Sequence, residues 1–122
     1  MLNNSLYTIT SFEQEEGKVE ARIHINAEHK IFEGHFPGQP VLPGVCMLQI
    51  MKELMEKSLS KNLFMHEASQ CKFLSMVDPR QTADLMATLQ YTQAADGIIA
   101  LNGVLKDEQT IFLKLVCSYT VS

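Results

Sequence analysis

Between Val45 and Ser60 the chain reads as a helix that is apolar almost all the way round. Val45, Cys46, Met47, Leu48, Ile50, Met51, Leu54, Met55 and Leu59 cover most of its circumference. Gln49, Lys52, Glu53, Glu56, Lys57 and Ser60 fall at i, i+3, i+4, i+7 spacing and leave only a narrow stripe, which reads as the wet side. Pro43 and Gly44 stand at the entrance, where proline is tolerated because a first-turn N–H would have no intrahelical acceptor. Such a helix is unstable unless other elements wrap it, and this requirement limits the possible folds more than any other feature.

The wrapping material is strand. Val19, Ala21, Ile23 and Ile25 alternate with Glu20, Arg22, His24 and Asn26, the period of a strand with one buried face. A turn at Glu15 to Gly17 joins it to an earlier partner in "LYTITSF", giving a hairpin. Ile111, Leu113, Leu115, Cys117, Tyr119 and Val121 alternate as cleanly. With the segments around Leu85 to Tyr91 and Ile98 to Leu105 they read as a three-stranded meander. The economical arrangement is α+β: one domain over residues 1–122, with a curled antiparallel sheet around one central helix. Its open edges favour pairing with a second copy.

The chain has 122 residues and a formal net charge of −4, with no cluster of lysine or arginine, so nucleic acid is a poor partner. No apolar run approaches the ~20 residues a membrane helix needs. The first ten residues lack the regions of a signal peptide, and a cytoplasmic location is expected. Cys46, Cys71 and Cys117 are odd in number, have no CxxC spacing and lie in apolar segments. They read as buried reduced thiols rather than a disulfide frame or zinc site. His24, His29 and His66 show no metal-ligand spacing, and no cofactor is expected.

The chemistry concentrates in "FEGHFPGQPVLPGV", Phe32 to Val45. His35 lies among Gly34, Pro37, Gly38 and Pro40, which either make a rigid turn or hold an imidazole where a general base must be fixed. Gly44 either eases the entry into the helix or lets a substrate carbonyl approach N–H groups at the positive end of the helix dipole. A fixed imidazole close to such a helix mouth suits proton abstraction next to a carbonyl.

The run "GHFPGQPVLPGV" followed by the apolar helix resembles the β-hydroxyacyl-acyl carrier protein dehydratases, the hotdog-fold group, and the similarity extends from about Val19 to Tyr119 through "QCKFLSMVDP". The resemblance implies a homodimer on a continuous sheet with sites at the subunit interface, and often a cis bond before Pro37. It casts His35 as the base that takes the α-proton of a (3R)-hydroxyacyl thioester, giving a trans-2-enoyl product in fatty-acid or polyketide synthesis. The amide at Gly44 would bind the thioester carbonyl. Phe36, Pro37, Val45 and Leu48 would bind an acyl chain delivered on the phosphopantetheine of an acyl carrier protein, and Lys72 and Arg80, with Lys30 near by, are candidates for docking that acidic carrier.

Counting on from His35, the family's acidic residue falls on Gln49, whose amide donates a hydrogen bond but cannot hand over a proton. Three readings therefore stay open. The chain is a dehydratase in which Gln49 positions the hydroxyl; or a binding subunit, including a heterodimer partner for an acid-bearing homologue; or, third, a thioesterase on the same fold. Gln49 also reads as the first member of the wet stripe, and Glu53, one turn on, is a poor substitute acid.

Overall fold

The computed structural model describes residues 2–33, 38 and 40–121. Its elements in chain order are β1 (Tyr7–Glu15), β2 (Lys18–Ile25), a short 3-10 turn (Lys30–Phe32), α1 (Gly44–Leu59), β3 (Leu63–Phe73), β4 (Asp84–Gln93), β5 (Ile99–Lys106) and β6 (Ile111–Val121). The six strands form one sheet in the order β1-β2-β4-β5-β6-β3, and every neighbouring pair is antiparallel. Both the expected hairpin and the expected meander are present, and the helix begins one residue earlier than its apolar pattern suggested.

One face of this sheet closes on α1. Val19, Ala21, Ile23 and Ile25 of β2 point inward with Leu85, Ala87 and Leu89 of β4, and Leu113, Leu115 and Tyr119 complete the wall from β6. Met47, Ile50, Met51, Leu54 and Met55 fill the concave side from the helix. At mid-sheet Gly103 sits between Leu89 and Leu115, and a Cβ there would lie 2.6 Å from Met51 Cε. The missing side chain lets helix and strand approach closely. No helix among the described residues is long and apolar enough to cross a membrane.

Two expectations fail. Cys46 and Cys117 are buried as read, but Cys71 is exposed. It lies on β3, an edge strand whose register with β6 shifts twice and in which, past Leu63, every residue is exposed, so the described residues leave most of both faces uncovered. Apolar character there reflected a surface, not a core. The second failure is Glu53, read as part of a wet stripe yet only 7% exposed. Residues 2–7, of which only Leu6 and Tyr7 were read, as the start of a strand, close over that part of the helix.

Candidate active site

The helix mouth is built by Pro43, whose extended backbone turns the chain into α1 and whose carbonyl accepts from the N–H groups of Cys46 at 3.0 Å and Met47 at 3.2 Å. Among the described residues no side chain caps this end, so the first-turn amides of Gly44 and Val45 remain as donors. Upstream, the buried Leu42 donates its N–H to the carbonyl of Val77 at 2.9 Å, which anchors the approach to the loop after β3. A Cβ on Gly44 would stand 2.8 Å from Cζ and 2.9 Å from Cε1 of Phe73. The aromatic ring therefore occupies the space a side chain would take. Phe73 is 49% exposed and Val45 74%, so the mouth has an open apolar rim, with Leu48 half-buried one turn further in.

Gln49 is half-buried, and its Nε2 donates to Glu53 Oε2 at 2.8 Å. The Glu53 carboxylate has further donors: the N–H of Leu2 at 3.0 Å to Oε2 and 3.2 Å to Oε1, the N–H of Asn3 at 2.9 Å, and the Tyr7 hydroxyl at 3.0 Å. Burial by itself pushes the Glu53 carboxyl up, but the donors Leu2, Gln49, Asn3 and Tyr7 together outweigh it and hold the group below the usual glutamate range. Glu53 is thus an ionised acceptor. Because it has no proton to give, the amide nitrogen of Gln49 must be the atom that faces it. Burial, and then the charge of Glu53, raise the Tyr7 phenol far above its usual value and keep it a donor.

Among the other expected site residues, Lys72 is exposed on β3 directly across from Lys114, two like charges on one edge. Arg80 is engaged: it donates to Asp78 Oδ2 at 3.1 Å and Oδ1 at 3.2 Å and to the Gly38 carbonyl at 3.1 Å. The Arg80 guanidinium holds the Asp78 carboxyl below its usual range. Since Gly38 follows His35 by three residues, Arg80 ties down the end of that loop, and much of its charge is answered locally. Lys30 opens the short 3-10 turn ahead of the loop. His35, Phe36 and Pro37, with the bond before Pro37, lie outside the described residues.

The helix therefore gathers Gly44, Val45, Leu48 and Gln49 at one end. Sequence reasoning missed Phe73, which only the glycine opposite could have suggested, and misjudged Glu53. The i, i+4 spacing of Gln49 and Glu53 was the available signal, but an amide–carboxylate pair on a helix is as easily a solvated one. His24 Nδ1 lies 2.8 Å from Asp84 Oδ1 in an exposed pair, and His29 caps the 3-10 turn by accepting from the N–H of Ile31 at 3.0 Å. Among the described residues no group of three or more His, Cys, Asp or Glu is placed to hold a metal.

The family model described as ApeI-like, ApeI dehydratase, matches residues 11–107, from β1 to the end of β5. A 3-hydroxyacyl-[acyl-carrier-protein] dehydratase, FabZ, of Latilactobacillus sakei is 30% identical over 97 residues, covering 74% of this chain and 69% of that protein. The FabZ of Rickettsia bellii is 37% identical over 71 residues, 52% of this chain, which spans about half (49%) of that relative's length. In a solved structure, the dehydratase heterocomplex ApeI:P from Xenorhabdus doucetiae, one chain superposes with a TM-score of 0.73 at 17% identity, covering 92% of this chain and 96% of that one. Thioesterase HI1161 from Haemophilus influenzae superposes with a TM-score of 0.66 at 14% identity, covering 97% and 80%. At such identities the two structures share the fold alone, and the fold does not separate their chemistries. The sequence matches do: the chain belongs to the ApeI-like dehydratase family, among the hotdog-fold 3-hydroxyacyl-acyl carrier protein dehydratases.

Proposed function

We propose that the chain binds a 3-hydroxyacyl thioester of an acyl carrier protein at the mouth of α1 and promotes loss of water to give the 2-enoyl thioester, in fatty-acid or polyketide synthesis. His35 takes the α-proton, the N–H of Gly44 holds the thioester oxygen as charge builds there, and Gln49 holds the β-oxygen. As the Cβ–O bond breaks, the departing oxygen takes its proton from the imidazolium that His35 has become on removing the α-proton, directly or through a water, because the Gln49 amide has none to give. The observation that carries this reading is the Gln49 carboxamide fixed on the first turns of α1, beside an uncapped helix mouth with an apolar rim. Acyl chains lie against Val45 and Leu48, with Phe36 and Pro37 on the loop side. Lys72, beside Lys114, faces the acidic carrier, while Arg80 serves the loop.

The same geometry supports a second reading in which this subunit works beside an acid-bearing homologue. Glu53 is ionised and enclosed by donors, so it is not a proton source, and the bare β3 edge offers a place for a second chain to extend the sheet. Thioester hydrolysis has no specific support in the site.

The test is enoyl absorbance from a 3-hydroxyacyl thioester. Slow turnover that disappears in His35→Ala supports the enzyme. Turnover appearing only on mixing with an acid-bearing dehydratase subunit supports the paired assembly. Thiol release without enoyl product, or no product in any mixture, overturns the reading.

A further inference from the structure

The hydrogen bonding around Gln49 determines which end of its amide is free. Its Nε2 donates to the Glu53 carboxylate at 2.8 Å, while Oε1 accepts from no described residue. A carboxamide is planar, so with nitrogen turned to Glu53 its oxygen is directed away. Rotating the amide would exchange a charge-assisted hydrogen bond for two acceptors facing each other. Glu53 cannot turn to relieve this, because the N–H groups of Leu2 and Asn3 and the hydroxyl of Tyr7 fix both of its oxygens. A line of constraint thus runs from the backbone at residues 2–3, through Glu53, to the free oxygen of Gln49.

We propose that Glu53 is a positioning residue which makes Gln49 a hydrogen-bond acceptor at the acyl site, so that the site selects 3-hydroxyacyl over 3-oxoacyl groups. A β-hydroxyl has a proton to donate to Gln49 Oε1. A β-keto oxygen has only lone pairs, and it meets an acceptor. Sites that discriminate by an unpaired polar contact do so strongly. The second proton on Nε2 remains, so the effect is a preference rather than exclusion, about tenfold in affinity, equivalent to ~1.4 kcal/mol. The choice of ligand rests on the dehydratase reading; the amide orientation does not.

Glu53→Gln keeps the size and shape of the side chain and reverses the constraint. Its oxygen can still accept from Leu2, Asn3 and Tyr7, but its NH₂ then faces Gln49 and draws the Gln49 oxygen toward it, turning the Gln49 NH₂ to the site. The ligands are 3-hydroxyacyl and 3-oxoacyl pantetheine amides, in which an amide replaces the reactive thioester, and binding is read by calorimetry. Wild type should prefer the hydroxy ligand about tenfold, Glu53→Gln should reduce that ratio to one or invert it, and Gln49→Met should abolish it while leaving Glu53 in place. In the free ¹⁵N-labelled protein the Gln49 NH₂ signals should be displaced downfield from those of exposed glutamines and return toward them in Glu53→Gln. Equal binding of both ligands by wild type, or a preference that survives Glu53→Gln, overturns the proposal and leaves the dehydratase reading standing. Absence of binding by either ligand overturns both, and unshifted Gln49 signals overturn the amide constraint whatever the ligands do.

Discussion

The first turns of α1 and the turn that follows differ in what surrounds them. At the mouth, Val45 is 74% exposed, no side chain of the described residues caps the helix, and Gly44 leaves room only for a half-exposed ring. At Glu53 the helix is sealed by residues 2–7, and the carboxylate has donors on both oxygens. The open region has the amide and the closed region has the acid. An ionised carboxylate below the usual glutamate range is stable in the closed region because its donors replace water, and for the same reason it has no proton to deliver.

Moving an acid from the closed region to the open one should have the largest effect. Gln49→Glu places a second carboxyl beside Glu53, and two such groups at hydrogen-bond distance share a proton, raising the pKa of one of them. Enoyl formation should rise ~10²- to 10⁴-fold over wild type, the usual contribution of a general acid. Opening the closed region comes next. Glu53→Leu leaves the Tyr7 hydroxyl and the N–H groups of Leu2 and Asn3 without their acceptor, and urea unfolding should show a loss of about 3 kcal/mol.

The pH dependence sharpens the same contrast. A carboxyl whose folded pKa lies below its unfolded value stabilises the fold at pH above the ordinary glutamate range and loses that contribution as the pH falls through and below it. Stability measured across the acid range should therefore fall less steeply in Glu53→Gln than in wild type. Gly44→Ala is smaller: the new methyl displaces the Phe73 ring, which is at the surface and free to swing, so stability should change by no more than ~1 kcal/mol while Phe73 resonances shift. The smallest effect is at Tyr119, whose hydroxyl is buried and, among the described residues, has only the weakly accepting sulfur of Cys117 beside it. Tyr119→Phe should leave thermal stability unchanged or raise it by ~1 kcal/mol.

Much of the fold could be read from period alone. The alternation of Val19 to Ile25 and of Ile111 to Val121 survives in the burial of β2 and β6 because each has neighbours on both edges and the helix on one face. The signal misleads where that condition fails. Cys71 belongs to a strand with a neighbour on one edge only, so its apolar surroundings pointed to burial that this chain alone does not provide. Glu53 is the opposite case. Its burial comes from backbone N–H groups of residues 2–3, which have no sequence signature, and the carboxylate looked solvated. Within the site, the helix contribution from Gly44 to Gln49 was legible; the partner that orients Gln49 was not.

The most direct measurement is the ionisation of Glu53, followed through its side-chain carboxyl carbon by ¹³C NMR as the pH is lowered. The account predicts a carboxylate at neutral pH that takes up a proton only below the usual glutamate range, leaving Gln49 with no acid beside it. A Glu53 carboxyl already protonated near neutral pH would contradict it, because this chain would then have its own proton donor one turn from the expected place.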